Sequence, residues 1–227
     1  MKKSILLLAV ASVFGMSSAA NAAVEDEQLW LNGSVTVDLG NGFKISDEIV
    51  ARFSDAQKGL YEIENNLLLN YKINKTVTIA AGYTHDPLYS GGHFTRMEHR
   101  AREQVSFDNI AKIASGQIST RARMEQRWRD GMTGTGWRFR PYVKWTLPIA
   151  NKGKTTLNIW HESFINLNKT PGQTVSGYDR MRNNITVKFP ISKVVSIEAG
   201  YLNQYQFTRN APNKMDHVAT ATLGVAF

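Results

Sequence analysis

Ser119-Thr120-Arg121-Ala122-Arg123-Met124-Glu125-Gln126-Arg127-Trp128-Arg129 is the stretch that decides the fold of this chain. Ser119, Arg121, Arg123, Glu125, Arg127 and Arg129 take every second position, with Ile118, Thr120, Ala122, Met124, Gln126 and Trp128 between them. Alternation with period two marks a strand with two unlike faces. Upstream, Arg96, Glu98, Arg100, Arg102 and Gln104 share one face; downstream, Arg138, Arg140, Tyr142 and Lys144 lie opposite Trp137, Phe139, Val143 and Trp145. Arg180 and Arg182 continue the pattern, and nine of the 13 arginines fall between Arg96 and Arg140. If the sheet closes into a membrane barrel, these rows face the lumen, because Arg on the lipid face costs ~2–4 kcal/mol at the midplane.

The same alternation extends outward. From Leu60 to Ile73 the residues Tyr61, Ile63, Leu67, Leu69, Tyr71 and Ile73 share a face opposite Glu62, Glu64, Asn66, Asn70 and Lys72. The turn Asn74-Lys75 leads into Val77, Ile79, Ala81 and Tyr83, completing a hairpin. Similar segments cover 29–39, 43–53, 94–107, 117–129, 136–147, 155–165, 180–189, 194–207 and 216–227, making eleven in all. Each approaches the ~9–11 residues of a tilted membrane-crossing strand. Bacterial single-chain barrels have an even count, so the expected fold is an all-β, up-and-down antiparallel transmembrane barrel of 10–12 strands. Either a strand is missed, near 86–116, or one of the eleven segments is not a strand; Asp86 to Gly92 reads as a loop, and Asp108 to Gly116 fits either a turn or a strand. Asn65–Tyr83 also aligns with Asn183–Tyr201 at a shift of 118, with 9 identities in 19. Duplication would produce this, and so would two hairpins under one set of constraints, the reading preferred here.

Connections alternate in length. Gly40-Asn41-Gly42, Asn74-Lys75, Asn151-Lys152-Gly153 and Ile191-Ser192-Lys193 are short, whereas Asp130 to Thr135, Asn166 to Asp179 and Thr208 to Lys214 are longer and polar. Short turns at one rim and long loops at the other characterise outer-membrane barrels. Trp137 and Trp145, eight residues apart on one face, would stand roughly 20 Å apart along the membrane normal, near the spacing of two aromatic girdles. A soluble lipocalin-like barrel is the competing arrangement, since alternation alone does not say which face meets lipid.

Met1-Lys2-Lys3 followed by the apolar run Ser4 to Phe14 and by Ala20-Asn21-Ala22 has the layout of a cleaved secretory signal, so 1–22 reads as signal peptide and 23–227 as the barrel. The chain has 27 basic against 19 acidic residues, a net charge of +8 over 227 residues, and no cysteine. Its basicity invites a nucleic-acid partner, but the export signal excludes one, and the missing cysteine excludes thiolate zinc sites and cysteine nucleophiles. No cofactor or metal is expected: His85, His93, His99 and His217 have no ligand spacing.

Twelve arginines fall on inward positions together with Lys44, Lys72, Lys144 and Lys188, against the acids Asp38, Glu48, Glu62, Glu64, Glu98, Glu125, Glu162 and Glu198. The lumen network expected from this parity comprises Arg96, Glu98, Arg100, Arg102, Arg121, Arg123, Glu125, Arg127, Arg129, Arg138, Arg140, Glu162, Arg180, Arg182 and Glu198. Two outcomes fit. Arg and Glu interlock into a structural plug, since buried charges are tolerable only when paired; or unpaired arginines line a path for small anionic solutes.

Several motifs together resemble an uncharacterised family of Gram-negative outer-membrane barrels known only as a domain of unknown function (family 2490). They are Gln28-Leu29-Trp30, Arg121 to Arg127, Trp137-Arg138-Phe139-Arg140, Glu162 to Asn166, Arg182-Asn183-Asn184 and Ala199 to Gln204. The resemblance spans essentially the whole mature chain and implies an integral outer-membrane barrel without assigning an activity. Ala219, Ala221, Leu223, Val225 and the terminal Phe227 resemble the assembly signal of such barrels. The partners implied are outer-membrane lipid, lipopolysaccharide and the barrel-assembly machinery.

His161-Glu162-Ser163 has the His-x-Ser spacing found on one strand face of lipid A deacylases. A Ser nucleophile needs a base and a group to orient that base. The same face of the neighbouring strands offers Met181, Asn183, Ile185 and Val187, or Trp137, Phe139, Val143 and Trp145, with no carboxylate among them. The sequence is therefore read as that of a non-enzyme, with a lipid hydrolase the remaining alternative.

Overall fold

A computed structural model describes residues 23–227, so the signal-like segment 1–22 lies outside the described residues. Eleven strands follow one another as β1 (Val24–Gly40), β2 (Phe43–Ser54), β3 (Gly59–Lys72), β4 (Val77–Ser90), β5 (His93–Ile113), β6 (Gly116–Arg129), β7 (Gly136–Ala150), β8 (Thr155–Asn166), β9 (Gly177–Pro190), β10 (Val195–Gln206) and β11 (Lys214–Ala226). Among the described residues the one helical element is a 3-10 turn at Asn151–Gly153. Each strand pairs antiparallel with the next, and β1 closes on β11 to complete a barrel.

Odd strand number has a geometric consequence. In an up-and-down sheet the first and eleventh strands point the same way, so the closing seam is parallel, from Val24↔Lys214 to Thr36↔Ala226. The even count expected from bacterial barrels is thereby corrected: among the described residues the closed barrel has eleven strands. The Phe227 backbone ties down one end of the seam, donating its N–H to the Thr36 carbonyl (2.9 Å) and accepting from the Asp38 N–H (3.1 Å).

Two other expectations change. Asp86 to Gly92 is no long loop, because β4 continues to Ser90 and turns at Gly91-Gly92, where both glycines have positive φ (56° and 79°). The ambiguous 108–116 stretch divides between β5, which bulges between Phe107 and Ala111, and the start of β6 at Gly116. One rim therefore carries short turns, and the other carries the longer loops 130–135, 167–176 and 207–213 together with the short Gly91-Gly92 turn.

The internal repeat has a physical explanation. Asn74 Oδ1 accepts from the Thr76 and Val77 N–H groups (both 2.8 Å), and Ser192 Oγ accepts from Val194 and Val195 (3.2 and 3.0 Å), so one turn closes both hairpins. Gly82 and Gly200 follow at matching positions, where the partner strand comes close. A Cβ on Gly82 would stand 2.1 Å from the Leu67 carbonyl oxygen, and one on Gly200 would stand 2.2 Å from that of Ile185. One set of steric demands, met twice, accounts for Ala-Gly-Tyr at the end of each copy.

The barrel is charged inside and apolar outside. Leu31, Leu67, Ile79, Val143, Ile159, Ile185 and Leu223 are exposed on the outer wall, while Glu98, Arg102, Glu125 and Arg138 are buried in the lumen. A β-bulge corrects one residue of the parity reading. Arg52 pairs with Glu62 and Phe53 with Leu60, which leaves Tyr61 unpaired and turned inward, its hydroxyl donating to Gln28 Oε1 (2.8 Å).

Replacing Gly200 by Ala should lower the unfolding free energy by about 1–3 kcal/mol, the usual effect of overpacking. Gly33→Ala, with nothing within 4 Å of the added carbon, should stay within about 0.5 kcal/mol of wild type. Urea titration followed by tryptophan fluorescence compares the two.

Candidate functional site in the charged lumen

Seven consecutive strands build the network, each through its inward parity. At one end, Arg52 of β2 holds Glu62 (2.5 Å) and Glu64 (3.0 Å) of β3. Arg100 of β5 is the hub: it reaches Glu64 (3.0 Å), Glu98 (2.6 Å) and Asp86. Arg102 bridges onward from Glu64 (2.8 Å) to Glu125 (3.2 Å). Glu125, fully buried on β6, also takes Arg138 (2.5 Å) and Arg140 (2.6 Å) from β7. Arg140 passes the chain to Glu162 of β8 (2.7 Å), which also binds Arg121 (2.5 Å). Alternating cations and anions thus run from β2 to β8, satisfying the requirement that buried charge be paired.

Glu98 anchors the long-loop side, taking Arg127 (2.8 Å) and Arg129 besides Arg100. The longest loop folds back over this mouth. Gln173 is buried there, donating to the carbonyls of Trp137 and Asn168 (both 3.1 Å) and accepting from Arg127 (3.1 Å).

Aromatic rings give several of these cations a second kind of partner, and among the described residues Arg182 has only aromatic ones besides Gln204. Phe164 is enclosed by the guanidiniums of Arg140, Arg182, Arg138 and Arg180 at 4.3, 4.8, 5.2 and 5.7 Å from its centroid. Trp30 lies between Arg52 (4.3 Å) and Arg182 (4.7 Å). Cation–π contacts of this kind strengthen when desolvated. Behind Trp30, Val50, Leu202 and Val218 form a small apolar core, with Trp160 against it. The lumen is therefore divided, ion pairs on the β2–β8 side and an apolar wedge on the side of the seam.

The structure places Glu98, Arg100, Arg102, Arg121, Glu125, Arg127, Arg129, Arg138, Arg140 and Glu162 in contact with one another through these ion pairs. Arg123 and Arg182 meet no carboxylate among the described residues; their guanidiniums donate instead to Gln104 (2.8 and 3.0 Å) and Gln204 (2.8 Å). Arg180 lies 3.3 Å from Asp179. Among the described residues Arg96 donates to the Met132 sulfur (3.9 Å) and pairs with no carboxylate, and Glu198 accepts from Asn158 (3.2 Å) and Thr186 (2.5 Å) rather than from an arginine. Three further buried acids join those expected from parity: Asp86, Asp179 and Asp216. Asp86 is the consequential one, a fully buried partner of Arg100 that Pro87 and the following glycines made look like a loop residue.

Glu62, Glu64 and Asp86 each bring a carboxylate oxygen within 4.8 Å of the others. Arg52 and Arg100 supply the positive charge this trio needs, so the cluster is explained without a metal.

Fold and lumen together define a closed, odd-stranded β-barrel with a buried arginine–carboxylate network. The family model described as "Protein of unknown function (DUF2490)" matches residues 27–216, and the chain belongs to that family. It is 28% identical over 231 residues to an uncharacterised protein of Methylorubrum extorquens, covering 98% of this chain and 97% of that one. No solved structure matches.

Glu125 is the point where loss should be most costly, because three guanidiniums converge on it. Glu125→Ala should destabilise the barrel by about 3–5 kcal/mol, read as a lower temperature for conversion of the folded gel band to the unfolded one. Glu198→Gln, which keeps an acceptor for Asn158 and Thr186, should cost about 1 kcal/mol or less.

Proposed function

We propose that this is an integral outer-membrane barrel whose ion-pair network closes the lumen and fixes the barrel's shape. The sidedness carries the reading. Leu29, Leu69, Ile79, Ile159, Ile185 and Val187 line the outside, and an aqueous barrel would bury such residues rather than its arginines. Strands of 12 residues or more, at ~3.3 Å per residue and ~40° tilt, rise about 30 Å, enough for the ~25 Å apolar band of such barrels. Tyr83, Trp128, Trp137 and Tyr201 on the long-loop half, and Phe43, Tyr71 and Phe227 near the short-turn rim, supply aromatic residues towards both edges. The partners that follow are outer-membrane lipid and lipopolysaccharide around the belt, with the barrel-assembly machinery engaging the Phe227 strand.

A second reading, an anion path, draws on one observation. A cavity of about 100 Å³ lies in the lumen, lined by eight arginines including Arg129, Arg180 and Arg182 but only by Glu62, Glu64 and Glu98 among acids. Against conduction stand the unbroken charge chain across the lumen and Gln173 at the mouth. A space of that size holds a few waters, each occupying about 30 Å³.

The purified protein should shift in gel mobility on heating, resist alkaline extraction from membranes, and leave a planar bilayer silent. Discrete anion-selective steps would establish the path instead of the plug. Release into the alkaline supernatant would sink the membrane assignment.

A further inference from the structure

Polar residues on the outer wall of a barrel need a reason, since lipid offers them no hydrogen bonds. Four such residues form a single chain. His161 and Ser163 are successive outward positions of β8; Asn183 and Tyr178 come from β9, where Asn183 pairs with His161 and Tyr178 with Ile165. Asn183 Oδ1 lies 2.8 Å from His161 Nδ1, His161 Nε2 lies 2.9 Å from Ser163 Oγ, and Tyr178 Oη lies 2.8 Å from Ser163 Oγ. With the amide oxygen facing it, Nδ1 carries the imidazole proton. That leaves Nε2 as the acceptor for the serine hydroxyl, the tautomer a general base requires.

We propose that Ser163, His161 and Asn183 form a hydrolytic site on the outer wall, acting on carboxylic esters of membrane lipids. The absent carboxylate does not remove the third role: an amide oxygen can orient the imidazole, as asparagine does in Cys–His–Asn sites. Asn183 is a positioning residue. Tyr178 provides an O–H that can turn from Ser163 to the developing oxyanion, a role tyrosine can fill. The surroundings fit a lipid substrate. Val143, Ile159 and Ile185 are exposed beside the site, and Tyr178 joins an aromatic cluster with Phe207 and Tyr205 (ring centroids 5.2 and 4.9 Å) towards the long-loop rim. Aromatic residues at such a rim mark the headgroup level of a membrane, where the ester carbonyls of lipids lie.

In the reaction, Ser163 Oγ attacks the ester carbonyl carbon while its proton passes to His161 Nε2, and the carbonyl π electrons move to oxygen. Collapse of the tetrahedral oxyanion breaks the bond to the alkoxy oxygen, which takes the proton from His161 and departs as the deacylated lipid. Water then attacks the acyl-serine, giving its proton to Nε2, and collapse releases the fatty acid while Ser163 regains its proton. Nothing is oxidised or reduced.

Access to lipid rests on the membrane reading above, but the nucleophile can be tested without it. The folded full chain in detergent is exposed to a soluble fluorophosphonate probe and digested for peptide mass spectrometry. The expected result is an adduct on Ser163 that is lost in Ser163→Ala and formed ~10²–10⁴-fold more slowly in His161→Ala. Asn183→Leu should slow it as well while Asn183→Asp restores the rate, a rescue that a purely structural hydrogen bond would not give. His217→Ala, on a different part of the outer wall, should leave the rate unchanged. The protein is then mixed with phosphatidylethanolamine vesicles and, separately, with hexa-acylated lipid A, and free fatty acid is measured. Release that depends on Ser163 assigns whichever lipid yields it. Release from neither lipid by heat-modifiable protein, or release that survives Ser163→Ala, overturns the proposal. Failure of the heat shift would count against the membrane barrel alone.

Discussion

The pairing of buried arginine with buried carboxylate is the constraint on which the rest of this molecule depends. Strand parity sends the arginines of β5, β6 and β7 inward, and burial makes each costly unless a carboxylate, an aromatic face or, for Arg123, the Gln104 amide lies within reach. Arg100, Arg102 and Arg140 each bridge carboxylates on different strands, so the network fixes the register between strands as well as neutralising charge. A one-residue slip of β6 would turn Glu125 outward and bring Met124 or Gln126 in, breaking three ion pairs at once. Backbone hydrogen bonds close the barrel, and the charge network selects which closure.

The network does not reach all the way round. On the side of the parallel seam, Trp30, Val50, Leu202 and Val218 replace ion pairs with apolar packing. Parallel pairing is slightly less stable per residue than antiparallel pairing, and the apolar wedge lies against β1 and β11, the two strands that form it. Arg182 links the halves, since its guanidinium stands over both Trp30 and Phe164. Closure of an odd-stranded barrel thus relies on two kinds of filling, each located where the strands supply it.

Period two made all eleven strands and nearly every inward charge legible, because a barrel with unlike faces repeats its pattern in every strand. Features that break the period were not legible. Tyr61 turned inward through a bulge that alternation cannot register. Asp86 is hidden by Pro87 and by Gly91-Gly92, which suggest a loop although β4 runs past Pro87 to Ser90. The parallel seam follows from an odd count that reasoning from even-stranded barrels sets aside. Gln173 enters the mouth from a loop, where no periodicity exists to predict it. The Arg–aromatic enclosures depend on distances across the lumen between strands far apart in sequence. Asn183 shares the outward face with His161 on the neighbouring strand, but an uncharged amide carries no signal in the alternation that marks it as the group orienting an imidazole.

β8 and β9 show how the two sides of the wall are connected. Glu162 and Phe164 point inward, tied to Arg121 and Arg140 and enclosed by Arg182. His161 and Ser163 are the alternate residues of the same strand and must point outward. On β9, Arg182 points inward beside Asn183, which points outward. Internal contacts that hold Glu162 and Arg182 therefore also hold His161 opposite Asn183, although none of them touches the outer group. If the outer wall meets lipid, as proposed, a site there lacks on that side the packing that keeps catalytic groups within about 0.5 Å of productive geometry in a soluble enzyme. For the proposed hydrolytic site the ion pairs of the lumen would take that role: the buried charge that makes this barrel costly to fold would also give its outer face the rigidity that acyl transfer requires.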